Sequence, residues 1–124
     1  MKRAVFEIKQ TPTGSYYFTF RGTDGERRVV SSTFLDRAEL EKCLSHVRET
    51  APLSEVNEES FQVGKRPFFW VQSKGEEVMF SLIGFRGEIV FSSIPYAKRE
   101  NCLEAIKDIK ACAQRAAVVD YTID

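Results

Sequence analysis

The sequence predicts an α+β fold: tandem duplicated β-β-β-α-β units form one mainly antiparallel sheet, with two helices on one face. Three observations carry this. GERRVVSSTF at 25–34 is echoed by GEIVFSSIPY at 87–96, 62 residues further on. Apolar residues alternate in period two before each of these stretches, and recur at helical spacing after each.

The echo extends well beyond one motif, and a repeat of this kind dictates the architecture. Adding 62 takes Phe18 to Phe80, Gly22 to Gly84, Gly25 to Gly87, Ser31 to Ser93, Arg37 to Arg99 and Val56 to Val118, with no gap. The whole chain of 124 residues suits a single domain. Copy one spans about 4–60, copy two about 66–124, and 61–65 link them.

Each copy has the same order of elements. VFEIK (5–9) and FFWVQ (68–72) are rich in aromatic and β-branched residues, which suit a pleated surface. YYFTFRG and VMFSLIG follow, placing Tyr16, Phe18 and Phe20 on one face and Val78, Phe80 and Leu82 on its counterpart. TDGE and FRGE turn the chain around a glycine suited to positive φ, and RRVVSS and IVFSS make the third strand. Ile89, Val90 and Phe91 replace Arg27, Arg28 and Val29, which predicts a more buried third strand in copy two.

The first helix opens on Asp36, with Glu39 as capping-box partner, and runs through Leu40, Cys43, Leu44, Val47 and Ala51. Pro52 ends it. The second carries Cys102, Ala105, Ile106, Ile109 and Ala113, but Lys98 stands where the capping Asp was, predicting a weaker start. A short extended segment closes each copy, SEVNEES or AAVVDYT. One copy alone leaves its apolar face bare, so two complete each other and the chain is expected to be a monomer.

This ordered string, F-x-L-x-G/A-x-x-G-E, a Ser, an aromatic, an amphipathic helix and A-x-V-x-D-x-T, resembles the YegP-like family, a small bacterial domain of unknown function. The resemblance implies a β(3)-α-β unit, in tandem or as a homodimer, with exchanged C-terminal strands. The 117–122 strand would then join copy one, and 55–59 copy two. Arg21 and Ile83 stand where the family tends to have Lys, and Asp24 and Arg86 where it tends to have Asn.

Composition narrows the function. Eighteen Lys+Arg balance eighteen Asp+Glu, which disfavours a dedicated nucleic-acid binder. No stretch approaches a membrane span or the apolar run of a signal peptide, so the chain is expected to be cytoplasmic. Three widely spaced cysteines (Cys43, Cys102, Cys112) and the lone His46 make no zinc set, and no cofactor or metal is expected. No triad, phosphate loop or carboxylate site appears, Glu58/Glu59 and Glu76/Glu77 reading as solvated charge in loops, so no enzymatic activity is expected.

The outer sheet face is the candidate surface. Tyr17, Thr19 and Arg21 alternate outward from copy one, and Met79, Ser81 and Ile83 from copy two, joined by Trp70 if Phe69 and Val71 face the helices. With Phe85 nearby, the candidate binding residues are Trp70, Met79, Ile83, Phe85 and Arg21. The expected function is a non-catalytic binding or interaction module for a protein or small-molecule partner. The alternative is weak binding of single-stranded nucleic acid by arginines and aromatics, with a small enzyme third.

Overall fold

The computed structural model describes residues 3–58 and 65–122. Three strands, β1 (Val5–Gln10), β2 (Tyr16–Arg21) and β3 (Arg27–Ser31), lead into helix α1 (Arg37–Thr50). A 3-10 turn (Ala51–Leu53) and the short β4 (Glu55–Asn57) follow. The second half runs β5 (Phe68–Lys74), β6 (Glu77–Ile83), β7 (Ile89–Ser93), α2 (Arg99–Cys112) and β8 (Ala117–Asp120). Most of the expected linker, at 61–64, lies outside the described residues.

All strands join one eight-stranded mixed sheet in the order β4-β5-β6-β7-β3-β2-β1-β8. The hairpin pairs are antiparallel, and β3 meets β7 antiparallel at the centre, Val30 opposite Ser92. Only the two edges are parallel: β4 on β5 and β8 on β1. The last strand of each half therefore lies beside the first strand of the other.

The period-two alternation decides which face is buried. Phe6, Phe18 and Phe20 from the first half and Phe69, Phe80 and Phe91 from the second point toward the helices, all at most 1% exposed. Leu40, Leu44 and Val47 of α1 and Cys102, Ala105, Ile106 and Ile109 of α2 close over them. Each buried phenylalanine contributes roughly 1.5–3 kcal/mol relative to exposure. Ser31 and Ser93 serve the ladder: each Oγ accepts from a buried backbone N–H, of Phe18 at 2.9 Å and Phe80 at 3.0 Å.

Asp36 accepts a hydrogen bond from Ala38 N at 2.7 Å, whereas Lys98 gives α2 no side-chain cap, as the sequence predicts. Each helix start is also held by the other half's last segment. Arg37 pairs with Asp120, and Arg99 pairs with Glu58, two contacts related by the 62-residue offset. Arg37 Nη1 also donates to Thr122 Oγ1 at 3.0 Å, and Asp120 Oδ1 accepts from the Thr122 backbone N–H at 2.8 Å. The D-x-T residues are thus helix-anchoring groups.

One expectation fails. β7 is hardly more buried than β3: Ile89 remains 47% exposed despite replacing an arginine. The pleat and a bulge between Leu82 and Ile83, matching one between Phe20 and Arg21, decide which side chains turn inward, whatever their polarity. Among the described residues no helix is long and apolar enough to cross a membrane.

Candidate functional site

The five outer-face candidates do not assemble into a site. Phe69 and Val71 do face the helices, so Trp70 turns to the other side, half-buried, as does Met79. Pairing across the sheet puts Glu7, Thr19, Val30, Ser92, Ser81 and Trp70 in one transverse row. Ile83 corrects the sequence reading: it is 1% exposed, opposite the equally buried Phe68. At 1% exposure neither side chain is open to a partner.

Arg21 is already engaged. Its Nε donates to Glu7 Oε1 at 3.1 Å and its Nη1 to Gly25 O at 2.9 Å. Thr19 Oγ1 donates to the same Glu7 oxygen at 2.9 Å, and Lys9 stands 3.9 Å away. Burial pushes the Glu7 carboxyl upward, but Thr19, Arg21 and Lys9 together outweigh it and hold the group below its ordinary value. Phe85 is 63% exposed but lies elsewhere, on the helix side.

Phe85 rims a groove of about 700 Å³ between α1 and the turn at 84–88. Phe34, Val47, Leu82 and Val90 give it apolar walls. Lys42, His46 and Arg86 bring positive or protonatable groups to it, and Glu39 and Glu88 bring carboxylates. Among the described residues none of these five ionisable groups forms a salt bridge. A shallower recess of about 330 Å³, lined by Leu53, Lys65 and Arg66, shares Thr50, Pro67 and Phe85 with the groove and continues it.

The corresponding place in the other half, between α2 and the turn at 22–26, is filled. Arg28 Nη2 donates to Asp24 Oδ2 at 2.8 Å, and Arg28 Nε lies 3.5 Å from Asp108 Oδ2. The pair packs directly over Gly22, where a Cβ would stand 2.1 Å from Asp108 Oδ2. Tyr96 Oη is buried beside Arg28 without a hydrogen bond of good geometry. Burial opposes the Arg28 charge, yet Asp24, Tyr96 and Asp108 outweigh it and hold the guanidinium above its ordinary value. Burial likewise raises the Tyr96 phenol, against the pull of Arg28.

The offset of 62 replaces each member of this cluster. Arg28 becomes Val90, Asp24 becomes Arg86, Asp108 becomes His46 and Tyr96 becomes Phe34. The backbone is the same at both places: Gly22 N–H donates to Glu26 O at 3.0 Å and Gly84 N–H to Glu88 O at 2.8 Å. With Val90 at the position matching Arg28, no guanidinium fills the groove. The signal was present in the sequence as four breaks in the repeat, but only the fold shows that they meet.

Little in the groove favours covalent chemistry. Burial, then the Glu88 charge, pushes the Cys43 thiol up to about 11, so the nucleophilic thiolate is scarce at neutral pH. Cys102 is also raised to about 11, by burial. Among the described residues no cluster of His, Cys, Asp and Glu could hold a metal ion. The arrangement can bind: apolar walls offer area and the ionisable rim offers orientation.

Comparison with known proteins agrees with the motifs. Residues 73–120 match the family model described as a domain of unknown function, DUF1508. The UPF0339 protein YegP of Yersinia pestis is 24% identical over 74 residues, 60% of this chain and 66% of that protein. The solution NMR structure of YegP from E. coli, described as a protein of unknown function, superposes with a TM-score of 0.78 at 19% identity, covering 98% of this chain and 95% of that one. The UPF0339 protein SO3888 from Shewanella oneidensis gives a TM-score of 0.78 at 14% identity, over 94% and 90% of the two chains. The chain is thus similar to the domain of unknown function DUF1508 over residues 73–120, and it shares the fold of the two YegP-like structures throughout the described residues.

Proposed function

We propose that this protein is a non-catalytic binding module whose site is the groove between α1 and the turn at 84–88. The observation that carries this reading is the contrast between two equivalent places: one plugged by Arg28, Asp24 and Asp108, the other left as a recess of about 700 Å³. Its size falls in the range of small-ligand pockets, roughly 300–1,000 Å³. Of the outer-face candidates, only Phe85 belongs to it.

We further infer that the architecture arose by tandem duplication with exchanged terminal strands. The parallel edge pairs, β8 on β1 and β4 on β5, and the offset-related pairs Arg37–Asp120 and Arg99–Glu58 support this. On that reading the two halves complete one another within a chain, which favours a monomer. Binding of single-stranded nucleic acid has less support, because Arg21 is committed to Glu7.

The test is a fragment screen followed by amide chemical-shift mapping. Ligands should perturb residues 42–47 and 84–90 together. Val90→Arg, which restores the plugging side chain, should weaken them at least tenfold while the folded spectrum persists. Ligands that instead perturb Trp70 and Met79 and ignore Val90→Arg would overturn the assignment.

A further inference from the structure

We propose that the groove takes a small amphipathic acid: a free carboxylate carried by an aromatic or branched apolar group. This rests on the groove being the binding site and adds the sign and class of the ligand. In the plugged counterpart the occupant is a guanidinium, faced by the carboxylates of Asp24 and Asp108. In the open groove those two positions are Arg86 and His46, and Lys42 stands where the other helix has Glu104. Three positions that are acidic on one side are basic or protonatable on the other, while the cationic occupant has become Val90.

The complement of that inversion is an anion with an apolar body. Its carboxylate would lie toward Lys42, His46 and Arg86, and its body against Phe34, Val47, Leu82 and Val90. Two carboxylates oppose this: Glu39, exposed in the first turn of α1, and Glu88. Glu88 Oε1 accepts the backbone N–H of Arg86 at 2.9 Å and its carboxylate folds over Gly84, where a Cβ would stand 2.5 Å from it. It therefore caps the turn. Positive charge also continues along the cleft: Lys65 and Arg66 line the adjoining recess, and the Arg66 guanidinium lies about 3.2 Å from where a Gly87 Cβ would be. Exposed Phe85 and Leu53 extend the apolar surface beside them. The groove's volume of about 700 Å³ suits a free small molecule.

A matched set of ligands tests this on the full chain: 3-phenylpropionate, 3-phenylpropanol, 3-phenylpropylamine, and an acetylated, amidated Phe-Asp dipeptide. Binding is followed by amide shifts at 42–47 and 84–90. The acid should bind with a Kd on the order of 0.1–1 mM, as its few atoms allow, and at least tenfold more tightly than the amine. The alcohol should fall between them, and added salt should weaken the acid. In Arg86→Asp with Lys42→Glu the order of acid and amine should reverse, with spectral dispersion checking the fold. Lys42→Gln, an exposed helix change, gives a milder second variant and should weaken the acid alone. Equal binding of acid, alcohol and amine at these residues would overturn the anion assignment and leave the groove standing. Tighter binding of the dipeptide would overturn the free-acid assignment. Absence of groove shifts with every ligand at 10 mM, a concentration on the order of ten times the weakest expected Kd, would overturn both readings.

Discussion

Arg28 Nε stands 3.5 Å from Asp108 Oδ2, joining strand β3 of the first half to α2 of the second. Both side chains are mostly buried, at 18% and 17% exposure. Removing Asp108 leaves the largely buried Arg28 with Asp24 but without its second carboxylate, so Asp108→Ala should destabilise the fold by about 1–3 kcal/mol. The double change Arg28→Val with Asp108→His, which copies the open groove, should cost clearly less than the two singles summed. Urea denaturation of the four proteins checks this; strict additivity would mean the pair is not coupled.

The same cluster distinguishes two glycines. A Cβ on Gly22 meets Asp108 Oδ2 at 2.1 Å and Arg28 Nε at 2.8 Å, both held in an ion pair. The three atoms nearest a Cβ on Gly84 all belong to the exposed Glu88 side chain, which can swing aside. Gly22→Ala should therefore lower stability by about 1–3 kcal/mol, and Gly84→Ala by under about 1 kcal/mol. Thermal melts of the two variants provide the comparison, and equal losses would contradict it.

Asp120 ties the edge strand β8 to the start of α1 through Arg37 and Thr122. Asp120→Ala should loosen that edge first. Amide exchange in Ala117–Asp120 and at the start of α1 should quicken by roughly tenfold or more, while β2 and β6 amides keep their protection, as local opening predicts.

Glu7 gives the fold an acid-sensitive component. Its folded pKa lies below the ordinary value of 4.5. The associated stability is fully present above 4.5 and is lost as pH falls through the lower folded value. Glu7→Gln should thus be less stable than the parent at pH 7, with the gap narrowing toward pH 3. Denaturation midpoints across that range would show it; a constant gap would remove Glu7 from the acid response.

The raised thiols of Cys43 and Cys102 predict slow alkylation in the native state. Iodoacetamide at pH 8 should modify them at least tenfold more slowly than in urea, because thiolate governs the rate. Mass spectrometry of timed samples follows both sites.

The sequence by itself determined the elements and their inward faces. Alternation at Tyr16, Phe18 and Phe20, helical spacing from Leu40 to Val47, the Asp36 cap and the positive-φ glycines at 25 and 87 are local constraints, legible one segment at a time. Tertiary structure alone decided which segments face one another. It buried Ile83 against Phe68, gave Arg21 to Glu7, and put Arg28 beside Asp108, 80 positions away in the chain. The groove lies between a helix of one half and a turn of the other, so no single run of residues contains it. A repeat reports its own sameness; what its differences do depends on which of them the fold brings within contact distance.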